Sequence, residues 1–140
     1  MIELSKVKTG VIGTGAMGSN HARVLSEISS LQGITDVDKE VGALVSKKHG
    51  TTFYENMFDL LEKVDAVCVA VPTEFHFSII KEIIKYNNKI SILVEKPLAY
   101  NLEQCKQILE LANQEDVKIC VGHIERFNPI VLKIKDLIDS

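Results

Sequence analysis

No apolar run in this 140-residue chain approaches the length needed to cross a bilayer; stretches such as Ala66–Val71 fall far short of the roughly 20 residues required. The N-terminus also lacks the apolar core of a secretory signal peptide, so the cytoplasm is the expected location and no membrane partner is expected. The lysines are dispersed and the formal net charge is −3, which excludes the basic footprint of a nucleic-acid binder. There are three cysteines, Cys68, Cys105 and Cys120, with no C-x-x-C pair and no clustered His/Cys spacing, so no metal site is expected. Cys68 and Cys120 lie within apolar, strand-like runs and read as small buried hydrophobes. Internal repeats and low-complexity segments are absent as well.

What is present is 46% hydrophobic and 25% charged, the balance of a soluble globular domain. The length suits one domain over residues 1–140 and leaves no room for a second of ordinary size.

The most informative stretch is Val7–His21, VKTGVIGTGAMGSNH. A short apolar run leads into Gly13, Gly15 and Gly18, and a helix pattern follows from Ala16. G-x-G-x-x-G between a strand and a helix is the context a dinucleotide-binding turn requires; a glycine turn of any α/β protein is the alternative. Gly13 permits the tight turn, Gly15 lets the backbone approach a pyrophosphate, and Gly18 allows close helix–strand packing. The N–H groups around Ala16 and Met17 would then face phosphates, favoured by the helix dipole.

Further along, apolar periodicity alternates between strand and helix. Strands are expected at Val7–Ile12, Leu31–Val37, Thr51–Tyr54, Val64–Val71, Ile90–Val94 and Val117–Val121. Ser29–Gly33 reads as loop. Helices are expected with apolar stripes Ala22/Leu25/Ile28, Val41/Leu44/Val45, Phe77/Ile80/Ile84 and Cys105/Ile108/Leu109/Ala112, and on a last helix carrying Ile130, Val131, Ile134, Leu137 and Ile138. Gly50 reads as a C-terminal helix stop, Asn101 with Gln104 as a capping box, and Asn128-Pro129 as a helix start. The alternation predicts an α/β Rossmann fold, a doubly wound parallel sheet whose strand C-terminal ends share one ligand-binding edge.

Chemistry-bearing residues collect at that edge. Asp36 stands about 20 residues past the glycines, where a carboxylate accepts from the adenosine ribose hydroxyls and repels a 2′-phosphate, favouring NAD over NADP. Asp38 is the rival for this role, or else the N-cap of the next helix. In Pro72-Thr73-Glu74-Phe75-His76, Thr73 is the expected N-cap and His76 an N3 residue, both able to face a cofactor ribose; a solvated helix-start histidine is the alternative. Lys96, between Glu95 and Pro97, suits proton transfer at a substrate hydroxyl, or is a surface lysine ending a strand. His123 and Arg126 follow the last strand, where Arg126 can bind a substrate carboxylate or phosphate or pair with Glu125. His21 and His49 read as structural.

Taken together, GVIGTGAMGSNH, AVPTEFH, VEKPLA and VGHIERFNP resemble the glucose–fructose oxidoreductase, inositol dehydrogenase and rhizopine catabolism (Gfo/Idh/MocA) family, in its order and spacing and over nearly the whole chain. The resemblance implies an NAD(P)-binding Rossmann domain of an oxidoreductase acting on a sugar or polyol hydroxyl. It makes Lys96 the catalytic lysine and puts Thr73, His76 and Glu95 in the cofactor region. The GHIERFNP segment is similar to versions in nucleotide-sugar 3-dehydrogenases, which points toward a UDP-amino-sugar substrate. The family's C-terminal α/β domain, with its substrate pocket and much of the dimer interface, is expected to be absent, so the chain alone is expected to be inactive. The final apolar stripe would favour association, as a homo-oligomer or with that domain. A standalone NAD(H)-binding or sensing module without chemistry is the alternative reading.

Overall fold

The computed structural model describes residues 3–139. After a 3-10 turn at Leu4–Lys6, the chain runs β1 (Lys8–Ile12), α1 (Ala16–Ile28), β2 (Ser30–Thr35), α2 (Lys39–His49), β3 (Thr52–Phe53) and α3 (Met57–Leu61). It continues through β4 (Ala66–Val69), α4 (Thr73–Tyr86), β5 (Ser91–Val94), α5 (Leu102–Gln114) and β6 (Ile119–Val121). A 3-10 turn at Ile124–Phe127 then leads into α6 (Pro129–Asp139).

All six strands are parallel, in the order β3-β2-β1-β4-β5-β6. The strand order reverses between β1 and β4, which is the switch point where a doubly wound sheet opens a crevice. Because successive strand residues face opposite ways, neighbouring residues feed two separate cores. Ile12, Val67, Val69, Ile92 and Val94 pack with α3, α4 and α5 through Leu60, Ile80, Ile83 and Ile108. On the other face, Val11, Ile34 and Cys68 pack with Ala22 and Leu25 of α1 and Val45 of α2.

The helix ends follow their sequence signals. Asp38 Oδ1 accepts from the backbone N–H groups of Glu40 and Val41 (both 3.1 Å), so Asp38 is the N-cap of α2. Gly50 closes that helix in the left-handed region at φ 64°. Gln104 N–H donates to Asn101 Oδ1 (2.9 Å), while Gln104 Oε1 accepts from Tyr100 N–H (3.2 Å), a capping box shifted one residue outward. Asn128 Oδ1 accepts from Ile130 N–H at the start of α6 (3.0 Å).

Several expectations are corrected. The second strand, expected at Leu31–Val37 beyond a loop-like Ser29–Gly33, runs Ser30–Thr35 and takes in the polar stretch: Ser30 and Leu31 pair with Lys8 and Thr9, and the register shift after Thr9 leaves Gln32 as an extra residue. Its amide donates to Ser30 Oγ (2.7 Å), which lets a polar residue sit in the ladder. On α2, Val41 and Leu44 face outward, and the line toward the sheet is Gly42, Val45, Ser46 and His49. Gly42 decides this rotation, because a Cβ there would meet the Phe53 ring at 2.3 Å. Ile28 is exposed because Ser29 meets β1 in its place, its hydroxyl 2.8 Å from that of Thr9. Leu109 is exposed, about 100° around α5 from the buried Ile108. Cys68 is buried, but Cys120 is exposed: it lies on the α1 side of the sheet, where α1 and α2 pack chiefly on β1, β2, β3 and β4.

Candidate cofactor-binding site

Backbone bonds step the strand ends into one edge. Gly13 N–H donates to Thr35 O (2.9 Å), Ala70 to Ile12 O (2.8 Å), Glu95 to Val69 O (3.0 Å) and Gly122 to Val94 O (2.8 Å). Each donor is the first residue beyond its strand. The glycine turn, Asp36, the Pro72 turn, the Glu95–Pro97 turn and the Gly122–Arg126 turn therefore share that edge.

Within the glycine turn each glycine has a separate reason. Gly13 sits at φ 86°, and a Cβ there would press on the Ala70–Val71 backbone at 2.8–2.9 Å. A Cβ at Gly18 would lie 1.8 Å from the Gly13 carbonyl oxygen, so α1 can reach the strand only without one. Gly15 is different: a Cβ there would point into open space. No packing demand inside the protein explains it, whereas close approach of a ligand backbone does. Gly15 is also the N-cap position of α1 with no side-chain cap, and the first turn contains no acidic residue. Its N–H groups and dipole are left for an anion, and a dinucleotide's pyrophosphate fits. Ala16 and Met17 are exposed there, while Gly18 is buried beneath them.

Asp36 lies one residue past β2, half-buried. Its Oδ2 accepts from Thr14 N–H (2.5 Å) and from the Thr14 hydroxyl (2.8 Å), and its Oδ1 from Asp38 N–H (2.9 Å). Burial pushes its pKa up, but the combined donors from Asp38, Thr14 and Val37 outweigh it and the net shift is downward. The carboxylate therefore stays ionised and rigid. Asp38, the rival for the ribose, spends its Oδ1 on capping α2.

The Pro72 turn departs from expectation. Pro72, not Thr73, is the N-cap position; Thr73 opens α4 and makes no side-chain cap. His76 is 1% exposed, neither solvated nor at N3. Its Nδ1 lies 2.9 Å from the Pro97 carbonyl oxygen and its Nε2 2.9 Å from that of Val71. The ring thus faces backbone on both sides instead of a ribose, and it ties the Pro72 turn to the Glu95–Pro97 turn.

Glu95 is occupied too. Its Oε1 lies 2.6 Å from His21 Nε2, with both side chains largely buried, and its carboxylate covers Gly122 at 3.4–3.5 Å from where a Cβ would be. Lys96, by contrast, is exposed, and its ammonium makes no ion pair among the described residues. The Lys96–Pro97 peptide bond is cis. His123 and Arg126 are exposed on the 3-10 turn after β6, whose Val121 pairs with Val94 of β5, so they emerge at the strand end beside Lys96. Arg126 makes no ion pair among the described residues; Glu125 instead accepts from the Asn128 amide (3.0 Å). Among these residues no group of His, Cys, Asp or Glu is arranged to hold a metal ion. Burial, aided by the Glu95 charge, pushes the Cys68 thiol up to about 12, so it is inert filler.

Two participants escaped the sequence reading. Thr14, the middle residue of the glycine turn, is tied to Asp36 by two bonds across 22 positions. A threonine at that x position was the available signal, since the predicted edge already put the turn beside β2. His21, read as structural, is the partner of Glu95, and nothing in the spacing of the two announced it.

Comparison with known proteins agrees with this geometry. Residues 7–123 match the oxidoreductase family with an NAD-binding Rossmann fold, Gfo/Idh/MocA. The chain is 30% identical over 125 residues to UDP-N-acetylglucosamine 3-dehydrogenase of Acidithiobacillus ferrooxidans, which spans 89% of this chain and 39% of that protein. A solved structure of that enzyme superposes with TM-score 0.89 at 29% identity, covering 98% of this chain and 44% of the other. The myo-inositol dehydrogenase of Lactobacillus casei, solved with NAD(H) and myo-inositol, superposes with TM-score 0.87 at 30% identity, covering 96% and 41%. The chain thus spans about two fifths of the length of the curated relatives it matches.

Proposed function

The chain belongs to the Gfo/Idh/MocA oxidoreductase family, whose NAD-binding Rossmann fold it carries, and on that premise we propose that it is the cofactor-holding part of a dehydrogenase acting on a sugar, polyol or nucleotide-sugar hydroxyl. The observation that carries the reading is the glycine turn: a vacant Cβ direction at Gly15, an uncapped helix start, and an ionised Asp36 fixed beside them. Gly13, Gly15 and Gly18, with the N–H groups of Ala16 and Met17, hold the pyrophosphate, and Asp36 takes the adenosine ribose and disfavours a 2′-phosphate.

When bound, NAD supplies hydride acceptance and return. Lys96 takes the proton of the substrate hydroxyl, or gives it back in the reverse direction, from a side chain that no acidic partner among the described residues immobilises. Pro72 and Thr73 line the nicotinamide end, and Glu95 with His21 steadies the turn that carries Lys96. His76 supports both turns from beneath through its two backbone contacts. His123 and Arg126 bind the substrate's polar groups, and a phosphate of a nucleotide sugar suits the Arg126 guanidinium, which has no ion pair among the described residues. The likeness to UDP-N-acetylglucosamine 3-dehydrogenase supports a UDP-amino-sugar within this class. We place the reaction in the cytoplasm, with the substrate pocket completed by a further domain or by association.

Calorimetric titration of the chain with NADH and with NADPH tests the reading. Saturable binding with NADH the tighter, and no turnover of sugar by these residues alone, is the expected result. Tighter NADPH would remove Asp36 from the ribose role, robust turnover would refute the need for a completed pocket, and no binding of either would reject the cofactor reading.

A further inference from the structure

We propose that Thr14 is a positioning residue for cofactor selection, its hydroxyl holding the Asp36 carboxylate so that the phosphate turn and the ribose carboxylate act as one unit; this rests on the NAD-binding reading above. A carboxylate oxygen accepts about two hydrogen bonds well. Oδ2 of Asp36 receives two from Thr14, its N–H at 2.5 Å and its hydroxyl at 2.8 Å, and is filled. Oδ1 receives Asp38 N–H at 2.9 Å, and the Val37 N–H is a further donor to the carboxylate. Thr14 thus fixes the orientation of the carboxylate at the ribose position through two donors on one oxygen.

Thr14 cannot readily step aside for a ribose hydroxyl. It is 2% exposed, so its hydroxyl would be left as a buried donor without an acceptor. Its main chain is also the turn itself, between Gly13, fixed at φ 86° and bonded to Thr35 O, and Gly15 at the start of α1. Any shift of Asp36 is thus felt at the pyrophosphate position, and any shift of the turn is felt at the ribose. One threonine couples two subsites that the chain separates by 22 residues.

The test is titration of the full chain and of Thr14→Val and Thr14→Ser with NADH and NADPH. Valine keeps the shape and removes the donor, whereas serine keeps the donor. Thr14→Val is expected to weaken NADH binding roughly tenfold or more, the effect of losing a hydrogen bond to a charged group. It should weaken NADPH less, so that the preference between the cofactors narrows. Thr14→Ser is expected to stay within about threefold of the native chain for NADH, because its donor is retained. Thr14→Val binding NADH as tightly as the native chain, or Thr14→Ser losing as much as Thr14→Val, overturns the proposal while leaving the NAD reading intact. Failure of the native chain itself to bind NADH overturns both.

Discussion

The first crossover, β1–α1–β2, and the last helix, α6, are both apolar and both end a strand–helix unit, yet they stand at opposite extremes of packing. At the first, Ala22 is wholly buried and α1 approaches so closely that a single methyl at Gly18 would overlap a carbonyl oxygen. At the last, no residue is buried: Ile130, Ile134 and Ile138 are 70%, 51% and 77% exposed. Both helices are amphipathic in sequence, so periodicity alone does not distinguish them. The difference is the presence of a facing sheet, since an apolar stripe gains stability only from the surface it covers.

Substitutions can break or sharpen that contrast. Largest should be Ile80→Ala, which empties a fully buried position between α4 and the sheet; a loss of about 2–5 kcal/mol is expected in urea unfolding. A loss below about 1 kcal/mol would mean that the core relaxes around the gap. Gly18→Ala should cost about 3 kcal/mol, the upper end for forced overpacking, because the blocking atom is backbone and cannot swing away. If its thermal midpoint matched the native one, the close approach of α1 would not be a constraint.

Next in size, Asp36→Ala should weaken NADH by roughly tenfold and NADPH much less, read by calorimetry. Equal losses would assign Asp36 to the turn alone. The same residue makes an acid-side prediction. Its folded pKa lies below the ordinary 3.8, so the stability it contributes is fully present above that value and is lost as the pH falls through the folded pKa. The stability gap between the native chain and Asp36→Asn should therefore close on acidification below about pH 4 and hold steady above it. A gap independent of pH there would show that the hydrogen bonds do not depend on the charge. Smallest, Ile134→Ser on α6 should change stability by less than about 0.5 kcal/mol. A larger loss would mean that the exposed stripe is covered in solution.

The fold was legible because its signals are local or periodic. The Gly13/Gly15/Gly18 spacing, the caps at Asp38, Asn101 and Asn128, the stop at Gly50 and the buried runs of β1, β4 and β5 depend on few neighbours, and each stands where expected. The stripes on α2 and α5 were rotated or trimmed because the helix face toward the sheet is chosen by the closest contact, Gly42 against Phe53 on α2, and not by the most apolar residues. At the site, Asp36 and the glycines were readable from their separation along the chain. His21 and the burial of His76 were not, because their partners are 74 and 21 positions away and no pattern encodes such pairs, and Thr14 left only its place in the glycine turn as a signal.

By itself, then, the sequence determined the alternation of strands and helices, the parallel doubly wound class, the family and the edge where its chemistry gathers. Those follow from backbone geometry, side-chain period and glycine sterics, which act over a few residues. Only the tertiary structure decided that Asp36 is tied to Thr14, that His76 braces two turns from inside, that Glu95 is held by His21 while Lys96 has no ion pair among the described residues, and that Cys120 and α6 face outward. Each of those depends on which surfaces meet across the sheet, and that is fixed by three-dimensional packing and not by position along the chain.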